Sequence, residues 1–235
     1  MYNVVLLRLV ALSLLLVFPS HSPLHAQGTP SVSVGWYNGD RLFGVGGESN
    51  WYSSDTDFAR VYDDFIVPDG GWTVAGVFSN QVFDGNPVIT EAAWEIRSGV
   101  VSGTAGTLVA WGIGPATQTY NPANATSRIE VDGLQVQLAP GKYWLNVAPV
   151  GEGKGIFYVA PTAGANAVGN PPGNDGGAFF NSPSVYNDNF TPLAVAGPTV
   201  QTGDFSQGVI IWGNAPPPQQ LSAAAQWQAD IASLV

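Results

Sequence analysis

The chain has 235 residues, a formal net charge of −10, and only 10% charged residues against 45% hydrophobic and 11% aromatic. That apolar content excludes wholesale disorder, and seven Lys and Arg in all leave no basic surface for nucleic acid. With no Cys, disulfides, thiolate metal sites and a cysteine nucleophile are excluded as well.

In chain order, residues 1–26 read as an export signal. Arg8 precedes an apolar run through Phe18, Pro19 and Pro23 break it, and Ala26 offers a small residue before Gln27. The stretch from Val4 to Phe18 is short for a membrane span and contains Arg8. Both histidines, His21 and His25, lie in this leader, so a chain beginning at Gln27 has none. A Ser-His-Asp triad and any imidazole-ligated metal are then excluded. Chemistry falls to carboxylates, Tyr, Lys or Ser, and metal binding to oxygen donors, which suit calcium.

Residues 27–214 read as one domain. Short alternating segments separated by Gly, Pro, Asn and Asp predict an all-β fold, a jelly-roll-like β-sandwich. The predicted strands are Ser31–Tyr37, Ala59–Val67, Trp72–Phe78, Val88–Arg97, Thr107–Gly112, Arg128–Leu138, Lys142–Ala148, Gly155–Val159, Ala178–Phe180 and Gly208–Trp212. Leu134, Val136 and Leu138 share one face and Leu145 and Val147 continue it, so the Pro140-Gly141 turn between them predicts a hairpin. From Ala160 to Gly177 no period is visible, which marks either a functional loop or a hidden strand. Residues 215–235 read as a Pro-rich spacer and a short C-terminal helix, with Ala224, Trp227, Ile231 and Leu234 at helical spacing.

Three stretches, Val61-Tyr62-Asp63-Asp64-Phe65 with Gly71-Trp72-Thr73-Val74, Trp94 to Gly99, and Leu138 to Leu145, together resemble exported bacterial β-sandwich proteins of largely unknown function, including relatives with a PEP-CTERM sorting tail. The resemblance spans Tyr62 to Trp212; the chain carries no Val-Pro-Glu-Pro motif or terminal apolar span. It implies a sandwich and transfers no activity.

Aromatic side chains are the most suggestive binding feature. Trp36, Tyr37, Trp51, Tyr52 and Trp111 lie near Gly-rich or polar loops, where a flat ring suits the apolar face of a sugar. Trp72, Trp94 and Trp144 sit in strong strand patterns and read as core. For acid–base chemistry the candidates are Glu91, Glu95 and Glu130. Glu91 and Glu95 share a strand face about 13 Å apart at ~3.3 Å per residue, too far for either glycosidase mechanism. Asp63 and Asp64 point to opposite faces, and Asp63 is expected to accept backbone N–H bonds or to meet Arg60 or Arg97. Oxygen-rich clusters at 50–57, 170–175 and 187–189 make Asp175 and Asp188 calcium candidates, although none has EF-hand spacing.

These readings converge on a secreted, cell-surface-associated, non-catalytic sandwich that binds extracellular polysaccharide or a cell-surface partner. A carboxylate-based glycoside hydrolase and a structural envelope or matrix protein are the alternatives.

Overall fold

The computed structural model describes residues 31–153, 155–173, 175–193 and 203–213. The expected leader and the C-terminal helix lie outside them. The described chain is a β-sandwich of two antiparallel sheets, and all ten predicted strands are present.

The strands are β1 (Val32–Tyr37), β2 (Glu48–Ser49), β3 (Trp51–Ser54), β4 (Asp57–Val67), β5 (Trp72–Phe83), β6 (Glu91–Ser98), β7 (Thr107–Pro115), β8 (Thr117–Asn121), β9 (Thr126–Leu138), β10 (Gly141–Pro149), β11 (Phe157–Val159), β12 (Phe179–Ser182), β13 (Asp188–Pro192) and β14 (Gln207–Trp212). The first sheet places β14 and then β1 on one side of β5, with β9 and then β8 on the other. Its far end is extended by β11 and β2. The second sheet runs β13-β12-β4-β10-β6-β7, with β3 paired to the start of β4.

The four strands that the sequence pattern did not reveal, β2, β3, β8 and β13, are two to five residues long. A period of two needs several repeats before it stands out from chance.

The expected hairpin is absent. Leu138 ends β9 in the first sheet and Gly141 starts β10 in the second, so residues 139–140 arch from one sheet to the other. Alternation reports which face a side chain takes and not which strand lies beside it. Leu134 and Val136 pack on the same core as Leu145 and Val147, from opposite sheets.

At the centre of that core Phe65 stacks on Trp36, Trp72 and Tyr143 at ring-centroid distances of 5.4, 6.0 and 5.7 Å. Such contacts add about 0.5–1.5 kcal/mol per pair to the apolar burial. Beside it, β4 and β10 part after the Asp63–Leu145 pair, and buried amide side chains fill the gap. Asn50 accepts from the Val61 N–H and donates to the Val147 carbonyl. Gln207 donates to the Val61 carbonyl and accepts from the Val147 N–H. Asn146 also donates to the Val61 carbonyl, and Ser79 to that of Val147. These side chains replace the missing ladder bonds, so the buried backbone is satisfied. The polar run at 50–57 thus begins with a structural Asn.

Candidate functional site

The five aromatic binding candidates separate sharply by burial. Trp36 is 0% exposed, Trp51 1% and Tyr52 7%; Tyr37 is half-buried, and Trp111 is 61% exposed. The first three are therefore interior residues rather than a binding face. Trp36 donates from Nε1 to the Pro171 carbonyl at 3.2 Å, so the irregular 160–177 segment covers it. Tyr37 donates to Asp40 at 2.7 Å and packs on Phe78. Tyr52 donates to Asp55 at 2.7 Å and stacks on the Arg60 guanidinium.

Trp111 stands on β7, which among the described residues is the outermost strand of the second sheet and pairs only with β6. Register sets its orientation. Gly112 lies opposite Trp94 and tight against its indole, facing the core, so Val109, Trp111 and Ile113 face outward. Val109 and Ile113 are 40% and 45% exposed. The result is a solvent-facing apolar strip along a strand with no charged residue. Soluble proteins commonly blunt open edge strands with charge, and this edge carries none.

Inward along the same outer face, Glu95 lies opposite Trp111. It is locked in place: Arg60 pairs with one of its oxygens, while Arg97 Nε at 2.6 Å and the Tyr62 hydroxyl at 2.8 Å take the other. Arg60 is sandwiched by Phe58 and Tyr52, and Arg97 lies over Tyr62 and Phe190. Burial, then the Glu95 charge, pushes the Tyr62 hydroxyl up to about 12, so it acts as a hydrogen-bond donor. A carboxylate whose two oxygens are taken by two guanidinium groups and a hydroxyl is a brace for the sheet. The arginines that were expected near Asp63 are used here instead.

On the core side of β7 a cleft of about 460 Å³ opens where β7 and β9 diverge. Trp94, Gly112, Thr117 and Leu134 line it, with Glu130 and Asp132 at its β9 wall. Glu130 pairs with Arg128, which covers the Phe78 ring. Burial, together with Asp132 in hydrogen-bonding reach, pushes the Glu130 carboxyl up. Glu91 is exposed at the start of β6, four residues from Glu95 on the same strand, while Glu130 stands on β9 in the other sheet.

A second acidic group lies where β4 meets the 160–177 segment. Asp63, Asp64 and Asp204 are all fully buried. Asp63 accepts from Asn38 Nδ2 at 2.6 Å and from the backbone N–H groups of Phe205 and Asp64 at 2.5 and 2.9 Å, as expected of a carboxylate that anchors backbone. Asp64, on the opposite face, meets Lys142 Nζ at 2.8 Å. Asp204 accepts from the Gly176 N–H, and Asp175 from the Gly177 N–H. Burial raises the pKa of Asp63, Asp64 and Asp204, Asp204 to about 7. Only Asp175 of this group was recognisable as a metal candidate in the sequence; the signal for Asp63 and Asp64 was the charged doublet inside an apolar strand, and Asp204 had none. Asp188 lies apart on β13 and accepts from the Thr191 hydroxyl. Among the described residues no group of three or more His, Asp or Glu side chains is placed to hold a metal ion, and no helix is long and apolar enough to cross a membrane.

Comparison with known proteins gives no matching family and no matching curated protein.

Proposed function

We propose that the protein is a secreted, cell-surface-associated binding module that takes extracellular polysaccharide on the outward strip of β7, with Trp111 as the platform. The observation that carries this reading is the exposed indole between Val109 and Ile113 on an uncharged edge strand. A rigid sheet holds that ring out to solvent at little ordering cost, and pyranose C–H faces stack on such rings. Affinity electrophoresis against a panel of neutral and acidic polysaccharides tests it. Retardation by at least one polymer, lost in Trp111→Ala, is expected. Unchanged mobility in every gel overturns the carbohydrate reading and leaves a protein partner for the same strip.

Glycoside hydrolysis is the weaker reading, drawn from the cleft and the raised Glu130 carboxyl. Retaining enzymes separate their two carboxyl groups by about 5–5.5 Å and inverting ones by more, across a bound sugar. Glu130 and Asp132 stand on one strand within hydrogen-bonding reach of each other. That spacing leaves no room for a sugar between them.

A further inference from the structure

We infer that Asp64 and Asp175, backed by Asp204, form a calcium site where β4 meets the loop that ends at Gly177. The first observation is charge. Asp64, Asp175 and Asp204 lie within reach of one another's charge, Asp63 acts on Asp204 from the other face of β4, and Lys142, half-exposed, pairs with Asp64. Three of those carboxyl groups are completely buried, and a buried carboxylate needs a partner to offset lost hydration. Asp63 has its partners in three donors. Asp64 pairs with Lys142 through Oδ2.

The second observation is a specific orphan. Asp64 is 0% exposed, and its Oδ1 accepts no hydrogen bond from another residue. That oxygen sits against Gly177: a Cβ at position 177 would collide with it and would lie 3.1 Å from Asp175 Oδ1. Two carboxylate oxygens from different parts of the chain therefore converge on one glycine, where any side chain would fill the space between them. Asp175 approaches Asp204 within hydrogen-bonding reach, and Asp204 also feels the Asp64 charge. Asp175 is exposed, so the group opens to solvent on that side.

The chemistry selects the ion. Only oxygen donors are present, which suits a hard cation. Because the side chains do not close a full shell, water must supply several ligands, and calcium tolerates such irregular coordination where magnesium demands a near-octahedral one. An open, water-rich site of this kind belongs with weak extracellular calcium modules, at about 10⁻⁴–10⁻³ M. The site is independent of the Trp111 strip.

Trp144 supplies a local probe, since its Nε1 donates to the Gly177 carbonyl at 3.2 Å and its ring can sensitise bound terbium. Full-length protein would be titrated with terbium, followed by competition with calcium and then magnesium, and Tm would be measured with each ion. Expected are sensitised emission displaced by calcium with a midpoint of about 10⁻⁴–10⁻³ M, a rise in Tm with calcium, and little response to magnesium. Asp175→Asn, an exposed position that leaves the fold intact by circular dichroism, should weaken calcium at least about tenfold, the loss of one charged ligand being worth some 1.4 kcal/mol. Asp188→Asn should leave the titration unchanged. Absence of any calcium response at millimolar concentration, an equal response to magnesium, or full binding by Asp175→Asn would overturn the site.

Discussion

Glu95 illustrates how one carboxylate organises its surroundings. It neutralises Arg60 and Arg97, and it gives the buried Tyr62 hydroxyl an acceptor. Removing it leaves two mostly buried guanidinium groups without a counter-charge. Breaking such a pair from one side costs about 3–5 kcal/mol, more than the intact pair contributes over an apolar replacement. Glu95→Ala is therefore expected to lower the urea midpoint strongly, whereas Trp111→Ala, at an exposed edge, should stay within about 0.5 kcal/mol of the parent. A cost below about 1 kcal/mol for Glu95→Ala would mean that water reaches the guanidinium groups. The sequence suggested Glu95 as a proton donor because spacing along a strand carries no information on cross-strand partners. The two arginines come from β4 and from two residues along β6.

At the scale of elements, the strand pattern was legible wherever one face is buried over many residues. Val61, Phe65 and Val67 on β4, or Leu145 and Val147 on β10, announce their face by alternation. What alternation does not encode is the neighbour, which is why residues 134–147 looked like a hairpin and instead span the core from two sheets. Trp36 was misjudged for a related reason. Its cover comes from Pro171, 135 residues away, through a segment with no period of its own. Asn50 was equally opaque, since a polar residue near Asp55 and Asp57 reads as a loop. Its real place is in the gap between β4 and β10, bonded to the Val61 N–H and the Val147 carbonyl. Asn50→Ala leaves that buried donor with no partner and takes one donor from the Val147 carbonyl. Each buried group left unsatisfied costs about 1–3 kcal/mol. A loss of at least about 2 kcal/mol by equilibrium denaturation is expected; a near-neutral result would mean that the strands close the gap without the amide.

The acid balance governs the molecule as a whole. Asp63, Asp64 and Asp204 all have raised pKa values in the folded state, from burial first. For Asp204, the nearby Asp175 and Asp64 charges add to burial, against the opposing Gly176 N–H. Between the ordinary Asp value of 3.8 and about 7, the folded chain holds a proton on Asp204 that the unfolded chain has released. Stability then falls with rising pH, because the folded state is the one that binds more protons. This contribution is fully present below about pH 4 and gone once pH has passed through 7, and Asp63 and Asp64 act in the same direction. The net charge of −10 reinforces the trend, since self-repulsion grows as carboxyl groups ionise. The urea midpoint in calcium-free buffer is expected to drop steadily from pH 5 to pH 8, and Asp204→Asn should flatten that slope. A midpoint that rises over this range would show that these carboxyl groups are stabilised as anions without any metal. Proton and calcium would compete for the same oxygens, so the calcium-induced rise in Tm should be larger at pH 8 than at pH 5. Two compensations for one buried charge would thus hand over to each other near neutrality.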